Sequence, residues 1–236
     1  MLPDLMPTHA LFLDLDGTLL DFAPTPAEVV VPDGLPALLA ALASARNGAL
    51  AILSGRTMDD IDGVTGAPFP AGAEHGFVCR DSAGVIHQPI TTTANRPAWR
   101  QALDDAAATM PGVAIEQKRY TLVAHFRRAP DHGPALRALI DRLIAGVPDI
   151  EVLPANMAWE IRPAGADKGR ALDWFMQQTP FAGRVPVFVG DDTTDEAAIA
   201  AAKAQGGIGL NVHRDFDGTT NAVRAWLARA VAEPQP

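Results

Sequence analysis

Residues Ala10 to Leu20 read A-L-F-L-D-L-D-G-T-L-L. The first four, Ala10 to Leu13, carry no polar break, the mark of a strand buried on both faces of a parallel sheet. The strand ends in Asp14 and Asp16, followed by Gly17 and Thr18. Ligands of open α/β sheets sit outside the carboxyl ends of the strands, so these two acids fall where chemistry is expected. A D-x-D pair can hold a hard cation through one carboxylate and a neighbouring carbonyl. A carboxylate can also attack phosphorus, as in aspartyl-phosphate enzymes. The bland alternative is a polar strand end leading into a glycine turn, so the meaning of the pair depends on the other strands.

Working outward, the strand signature recurs. A loop over residues 21–31, holding Pro24 and Pro26, leads to a helix start at Pro32-Asp33-Gly34. Leu35, Leu38, Leu39 and Leu42 repeat at helical spacing to about Arg46, and Asn47-Gly48 stops the helix. Residues 49–53 form a second buried strand, ending at Ser54-Gly55-Arg56, with a short helix from Thr57. Residues 72–76 read as a loop, and 77–79 and 85–87 flank a hairpin-like turn. Much later, a helix over 167–178 precedes a third buried strand over 185–189, which ends at Gly190-Asp191-Asp192. Acids in the first turn after it mark a helix running to about Ala204. A short strand over 207–211, a closing helix over 222–231 and a frayed tail at 233–236 complete the chain. Alternating strands and helices predict an α/β fold: a Rossmann-like, doubly wound parallel core.

Between the second and third buried strands the pattern changes. A helix over 97–110 precedes alternating strands at 113–117 and 121–127, and a helix over 134–145 precedes strands at 150–153 and 157–162. Helix followed by paired strands, twice over, predicts a smaller α+β insert with an antiparallel sheet. The expected organisation is a core over 1–90 and 164–236 and a cap over 91–163, positioned to lid the carboxyl edge of the core sheet. In the last cap strand Met157, Trp159 and Ile161 alternate with Ala158, Glu160 and Arg162, so one face is apolar and the other polar. Glu116 and Lys118 also share a face.

Composition narrows the classes of function. Of 236 residues, 48% are hydrophobic, enough for a real core, and the net charge of −9 with no basic stripe argues against nucleic acid as a partner. The first residues show neither a basic segment nor a long apolar stretch, so no secretory leader is expected. No run approaches the roughly 20 apolar residues that span a membrane. A single cysteine, Cys79, excludes an internal disulfide framework and fits a reducing, cytoplasmic setting. It reads as a small packing residue. Trp99, Trp174 and Trp226 sit at apolar helical positions and read as core.

Three strand ends therefore carry polar chemistry: Asp14 with Asp16, Ser54, and Asp191 with Asp192, while Lys168 opens a helix between the last two. Neighbouring parallel strands lie about 5 Å apart, so these groups can converge on one phosphate. A carboxylate that attacks phosphorus meets like-charge repulsion, which calls for a divalent cation and a cationic side chain. Asp14 and Asp191 can supply oxygen ligands to Mg²⁺. Lys168 can screen the transferring oxygens, and Ser54 can hydrogen-bond one. Asp16 is then free to protonate the leaving oxygen and later to activate water.

D-L-D-G-T-L, the strand-terminal Ser54, Lys168 and G-D-D-x-T-D-E match in order the four motifs of the haloacid-dehalogenase (HAD) superfamily. Within it the chain resembles the trehalose-6-phosphate phosphatases, through S-G-R at 54–56, H-G at 75–76, E-x-K at 116–118, W-E-I-R-P at 159–163 and D-K-G at 167–169. The resemblance covers nearly the whole chain, cap included. It implies Asp14 as nucleophile and Asp16 as general acid and base that also binds metal through its backbone carbonyl. It implies Asp191 as the second metal carboxylate, with Asp192 and Asp195 holding the metal or its waters. Glu116, Lys118 and Glu160 match the cap residues that grip sugar hydroxyls, and Arg56 and His75 are candidates for the substrate side. The expected activity is Mg²⁺-dependent hydrolysis of trehalose 6-phosphate by a monomeric chain whose partner is a small sugar phosphate, with no membrane. The alternatives are a phosphatase for another sugar phosphate, such as sucrose 6-phosphate, a phosphomutase, and a non-catalytic sensor.

Overall fold

The computed structural model describes residues 2–23, 28–88, 96–118, 121–165 and 167–232. Part of the expected 21–31 loop, the expected boundary at 90/91 and the expected tail at 233–236 lie outside the described residues. In chain order come β1 (His9–Leu13), α1 (Leu35–Ala45), β2 (Leu50–Leu53), α2 (Met58–Thr65), β3 (Ala71–Ala73), β4 (Val78–Arg80) and β5 (Ile86–His87). Next are α3 (Arg96–Ala108), β6 (Ala114–Gln117), β7 (Leu122–His125), α4 (Gly133–Ile144), β8 (Ile150–Ala155) and β9 (Ala158–Pro163). The chain continues with α5 (Lys168–Met176), β10 (Val185–Gly190), α6 (Glu196–Ala204), β11 (Ile208–Asn211), α7 (Val212–Asp215) and α8 (Thr220–Ala232). Two compact units result: Met1–Pro89 with Asp167–Pro236, and Ile90–Ala166.

The first unit is built on a seven-stranded sheet of order β11-β10-β1-β2-β3-β4-β5. The first five strands are parallel and the last two antiparallel. Ala10 to Leu13 are wholly buried, as an unbroken apolar run requires when both faces of a sheet are covered. On one face Phe12, Leu53 and Phe188 pack with Leu172 and Phe175 of α5 and Ile199 of α6. The rings of Phe12 and Phe175 lie 5.4 and 5.2 Å from that of Phe181, a spacing that favours aromatic contact. The alternate residues Leu11, Leu13, Leu50, Ile52, Val187 and Val189 are equally buried.

Helix boundaries follow local chemistry. The Thr57 side chain accepts a hydrogen bond from Asp60 N at the start of α2, and Gly66, at φ 71°, closes it. Asp167 caps α5 by accepting from Arg170 N, which makes Lys168 the first helical residue.

Residues 72–76, expected to be a loop, are instead the end of β3 and a 3-10 turn over Glu74–Gly76. Ala-Gly-Ala has no β-branched or aromatic residue to mark a strand. The sheet itself selects the small residues, since a Cβ on Gly72 would come within 2.9 Å of the Leu53 side chain. The short α7 also went unmarked, because four residues cannot display a helical period.

The second unit is a four-stranded antiparallel sheet of order β6-β7-β9-β8. Leu122, Ala124 and Ile161 pack against Trp99 and Leu103 of α3 and Leu136 and Ile140 of α4. Trp159 lies on the same side and donates its indole N–H to Gly133 O at 2.8 Å. The opposite face carries Glu116, His125, Glu160 and Arg162, as alternation within each strand dictates.

Cys79 is completely buried, and burial pushes its thiol up to about 12. The native protein should therefore resist a disulfide reagent such as 5,5′-dithiobis(2-nitrobenzoate) and release one equivalent of thionitrobenzoate only on unfolding in urea. Rapid labelling under native conditions would contradict the packing of β4.

Candidate active site

Strand order reverses at β1, which has β2 on one side and β10 on the other. This is the switch point where the carboxyl ends of an open sheet leave a crevice. The register sets Leu13 opposite Val189, and Asp14 N donates to Val189 O at 3.0 Å. Asp14 and Asp191 therefore emerge side by side from adjacent strands. Among the described residues, Asp14, Asp191 and Asp195 offer carboxylate oxygens that all lie within 4.8 Å of one another, and all three residues are buried.

Lys168 Nζ joins two of these acids, donating to Asp14 Oδ1 and to Asp195 Oδ1 at 2.6 Å each. Thr18 Oγ1 donates to Asp14 Oδ2 at 3.0 Å. The other oxygen of Asp195 accepts from Asp191 N at 2.9 Å and Asp192 N at 3.1 Å. Asp195 is thereby fully occupied, whereas among the described residues no side chain donates to the Asp191 carboxylate. Two glycines permit the crowding. A Cβ on Gly17, which sits at φ 78°, would fall on the Asp191 carboxylate, and one on Gly190 would strike that of Asp195.

Three buried carboxylates against one ammonium leave two negative charges in excess when all are ionised. Burial, reinforced by repulsion from Asp195 and Asp191, pushes Asp14 up to about 7 despite the attraction of Lys168. Burial, with Asp195 and Asp192, likewise raises Asp191 to about 6. Burial works against the Lys168 ammonium, but Asp14 and Asp195 outweigh it and hold the proton above the usual lysine range. A buried oxygen cluster with unmet negative charge suits a hard divalent cation, so the residues present fit a metal. The carboxylates available to it are those of Asp14, Asp191 and Asp195.

Arg56 Nε and Nη2 grip Asp16 in a two-pronged ion pair of 2.7 and 2.6 Å. Ser54 is buried at the end of β2, where its hydroxyl accepts from Arg56 N at 3.2 Å and its carbonyl from His75 N at 2.9 Å. The His75 ring lies on Gly55, where a Cβ would sit 2.6 Å from Nε2. Asp192 is exposed, caps the next turn by accepting from Thr193 N at 2.6 Å, and is not part of the carboxylate cluster.

Glu116, Lys118 and Glu160 belong to the second unit. Glu116 and Glu160 both pair with Val123 of β7, so they occupy one rung on the polar face. Two supporting residues went unassigned in the sequence. Thr18 was visible in the D-x-D-G-T run but had no deduced partner. Asn211, whose amide donates to Asp191 O at 3.2 Å, ends a strand that offered no motif.

A parallel sheet whose switch point gathers a strand-terminal D-x-D, a lysine and further aspartates is the architecture of the haloacid-dehalogenase-type phosphohydrolases. Residues 12–228 match the trehalose-phosphatase family, and the chain belongs to it. It is 37% identical over 232 residues to the trehalose-6-phosphate phosphatase of Escherichia coli (strain K12), covering 98% of this chain and 85% of that one. It is 42% identical over 205 residues to a probable trehalose-phosphate phosphatase of Sinorhizobium fredii (strain NBRC 101917 / NGR234), covering 86% and 77%. The fold is also that of a trehalose-6-phosphate phosphatase related protein, with a TM-score of 0.71 at 22% identity over 94% of this chain and 96% of the other. The protein is a phosphatase.

The two neighbouring aspartates should differ sharply in stability experiments. Asp195→Ala removes one of two Lys168 partners and leaves two amides unmet, partly offset by relief of repulsion on Asp14 and Asp191. It should cost about 2–3 kcal/mol. Asp192→Ala removes one exposed cap and should cost only about 1 kcal/mol. Urea unfolding midpoints in metal-free buffer would check this, and equal losses would contradict the buried network.

Proposed function

We propose that the protein is a Mg²⁺-dependent phosphatase that hydrolyses trehalose 6-phosphate to trehalose and inorganic phosphate, in trehalose biosynthesis. The observation that carries the chemistry is the Lys168 ammonium held between Asp14 and Asp195 in a chain of the trehalose-phosphatase family. In this reading the first unit is the catalytic core and the second a substrate-specificity cap.

Asp14 is the nucleophile. One of its carboxylate oxygens bonds to phosphorus as the bond from phosphorus to sugar O6 breaks, and Asp16 gives its proton to the departing O6. Water then attacks the aspartyl-phosphate, Asp16 takes the proton, and the bond from phosphorus to Asp14 breaks to release phosphate. Lys168 and Ser54 stabilise charge on the transferring oxygens. Arg56 aims the Asp16 carboxylate through its two-pronged pair.

Asp14, Asp191 and the Asp16 carbonyl would hold Mg²⁺, with Asp195 and Asp192 shaping that end of the site. When bound, the ion supplies the positive charge that lets an anionic carboxylate meet an anionic phosphate.

The polar face of the second unit reads the sugar. Glu116 and Glu160 flank Val123, two strand spacings or about 10 Å apart. Two acceptors at that separation, with the Lys118 ammonium as donor, suit the many hydroxyls of a disaccharide. Arg56 and His75 complete the substrate side of the first unit. A cytoplasmic setting is consistent with the single buried Cys79. Among the described residues, no helix is long and apolar enough to cross a membrane.

Phosphate release from trehalose 6-phosphate, sucrose 6-phosphate, glucose 6-phosphate and mannose 6-phosphate tests the substrate. Trehalose 6-phosphate should be turned over with the highest kcat/KM, and broad weak turnover would discard it while keeping the phosphatase. Asp14→Asn should lose at least about a thousandfold in kcat, the scale on which essential groups act, with its circular dichroism spectrum unchanged. Chelation by EDTA should abolish turnover, and added Mg²⁺ should restore it. Activity surviving either treatment would overturn the nucleophile or the metal assignment respectively.

A further inference from the structure

The polar face of the four-stranded sheet contains a hydrogen-bonded side-chain pair that the chemistry above does not use. His125 Nε2 lies 2.8 Å from Glu116 Oε2. The two side chains share a face diagonally, since Ala114 stands opposite His125 and Val123 opposite Glu116. On its other side His125 stands opposite Ala158. The imidazole therefore lies between two methyl groups, which leave it room to lean along the sheet and offer it no other polar partner.

From these contacts we infer that His125 is a positioning residue for sugar recognition, orienting the Glu116 carboxylate so that its second oxygen accepts a sugar hydroxyl. This rests on the reading of the polar face as the sugar-binding surface. An ionised carboxylate only accepts, so Nε2 carries the hydrogen of this bond. Glu116 is about half exposed at the side chain and would otherwise sample several rotamers. The hydrogen bond selects one and, with help from Lys118, holds the carboxyl below the usual glutamate range. The second carboxylate of the rung, Glu160, has its Oε1 buried without a hydrogen-bond partner. An acceptor already oriented beside one still unsatisfied is the arrangement expected of a surface that awaits donors.

The role of His125 separates from a structural one by kinetics. Wild type, His125→Ala, His125→Gln, Glu116→Ala and the double variant His125→Ala/Glu116→Ala would be assayed on the sugar phosphate that wild type turns over best. Each would also be assayed on p-nitrophenyl phosphate, which has no sugar. His125→Ala should raise KM for the sugar phosphate by roughly tenfold, the scale of one immobilised side chain, with kcat and p-nitrophenyl phosphate turnover little changed. His125→Gln, which keeps an N–H near the Nε2 position, should restore most of the loss. In the Glu116→Ala background the His125 substitution should add nothing further. An unchanged KM, an equal loss in both backgrounds, or a parallel loss on both substrates would overturn the proposal. Were His125→Ala to fail to fold, His125→Leu, which keeps bulk but carries no N–H, would take its place. A roughly tenfold rise in KM that His125→Gln does not show would then support the proposal, and an unchanged KM would overturn it. A panel won by a sugar phosphate other than trehalose 6-phosphate removes that substrate but leaves the His125 comparison decisive. A panel in which no sugar phosphate outdoes p-nitrophenyl phosphate overturns both.

Discussion

The first unit depends on one buried ammonium. Lys168 is 3% exposed and bridges Asp14 and Asp195, which are 4% and 0% exposed. Such a group is expensive to bury, and its removal would leave two carboxylates facing each other without water. Much of the local architecture serves to hold it. Asp167 caps α5 so that Lys168 begins the helix, and the amides of Asp191 and Asp192 pin the far oxygen of Asp195. Gly17 and Gly190 are small because the carboxylates occupy the space their side chains would need. The cluster keeps more negative charge than one lysine can balance, and this imbalance suits it to a cation.

The same economy of faces governs the second unit. Its sheet buries one side beneath α3 and α4 and leaves polar side chains on the other. The helix-covered side supplies stability. The polar side is free to carry residues chosen for recognition, because period-two alternation uncouples the two faces within each strand. In the function proposed above, selectivity falls to this surface, which can vary without disturbing the aspartates.

Most of the chemistry was legible because residue types repeat where the fold needs them. Two apolar runs end in aspartates, and parallel strands deliver their ends to one edge. Glu160 could be assigned to the polar face from alternation alone, and Trp159 to the helix side, as their contacts bear out. What escaped notice lacked a periodic mark. The three-residue β3 is Ala-Gly-Ala, and α7 spans a single turn. The resemblance put Asp195 at the metal end of the site but gave no sign of its contact with Lys168. Its central position follows from a turn that brings its carboxylate back onto two amides and across to Lys168.

Read alone, the chain establishes the parallel core, the α+β insert and the strand ends at which acids and a lysine gather. Burial patterns and strand-terminal acids are local properties that survive in one dimension. The folded chain is needed to say which groups touch. Arg56 meets Asp16 across 40 positions, Lys168 meets Asp14 across 154, and His125 finds Glu116 through a register that no periodicity specifies. Alternation tells which face a side chain takes, but strand order and register choose its neighbour, and those are settled only when the strands pair.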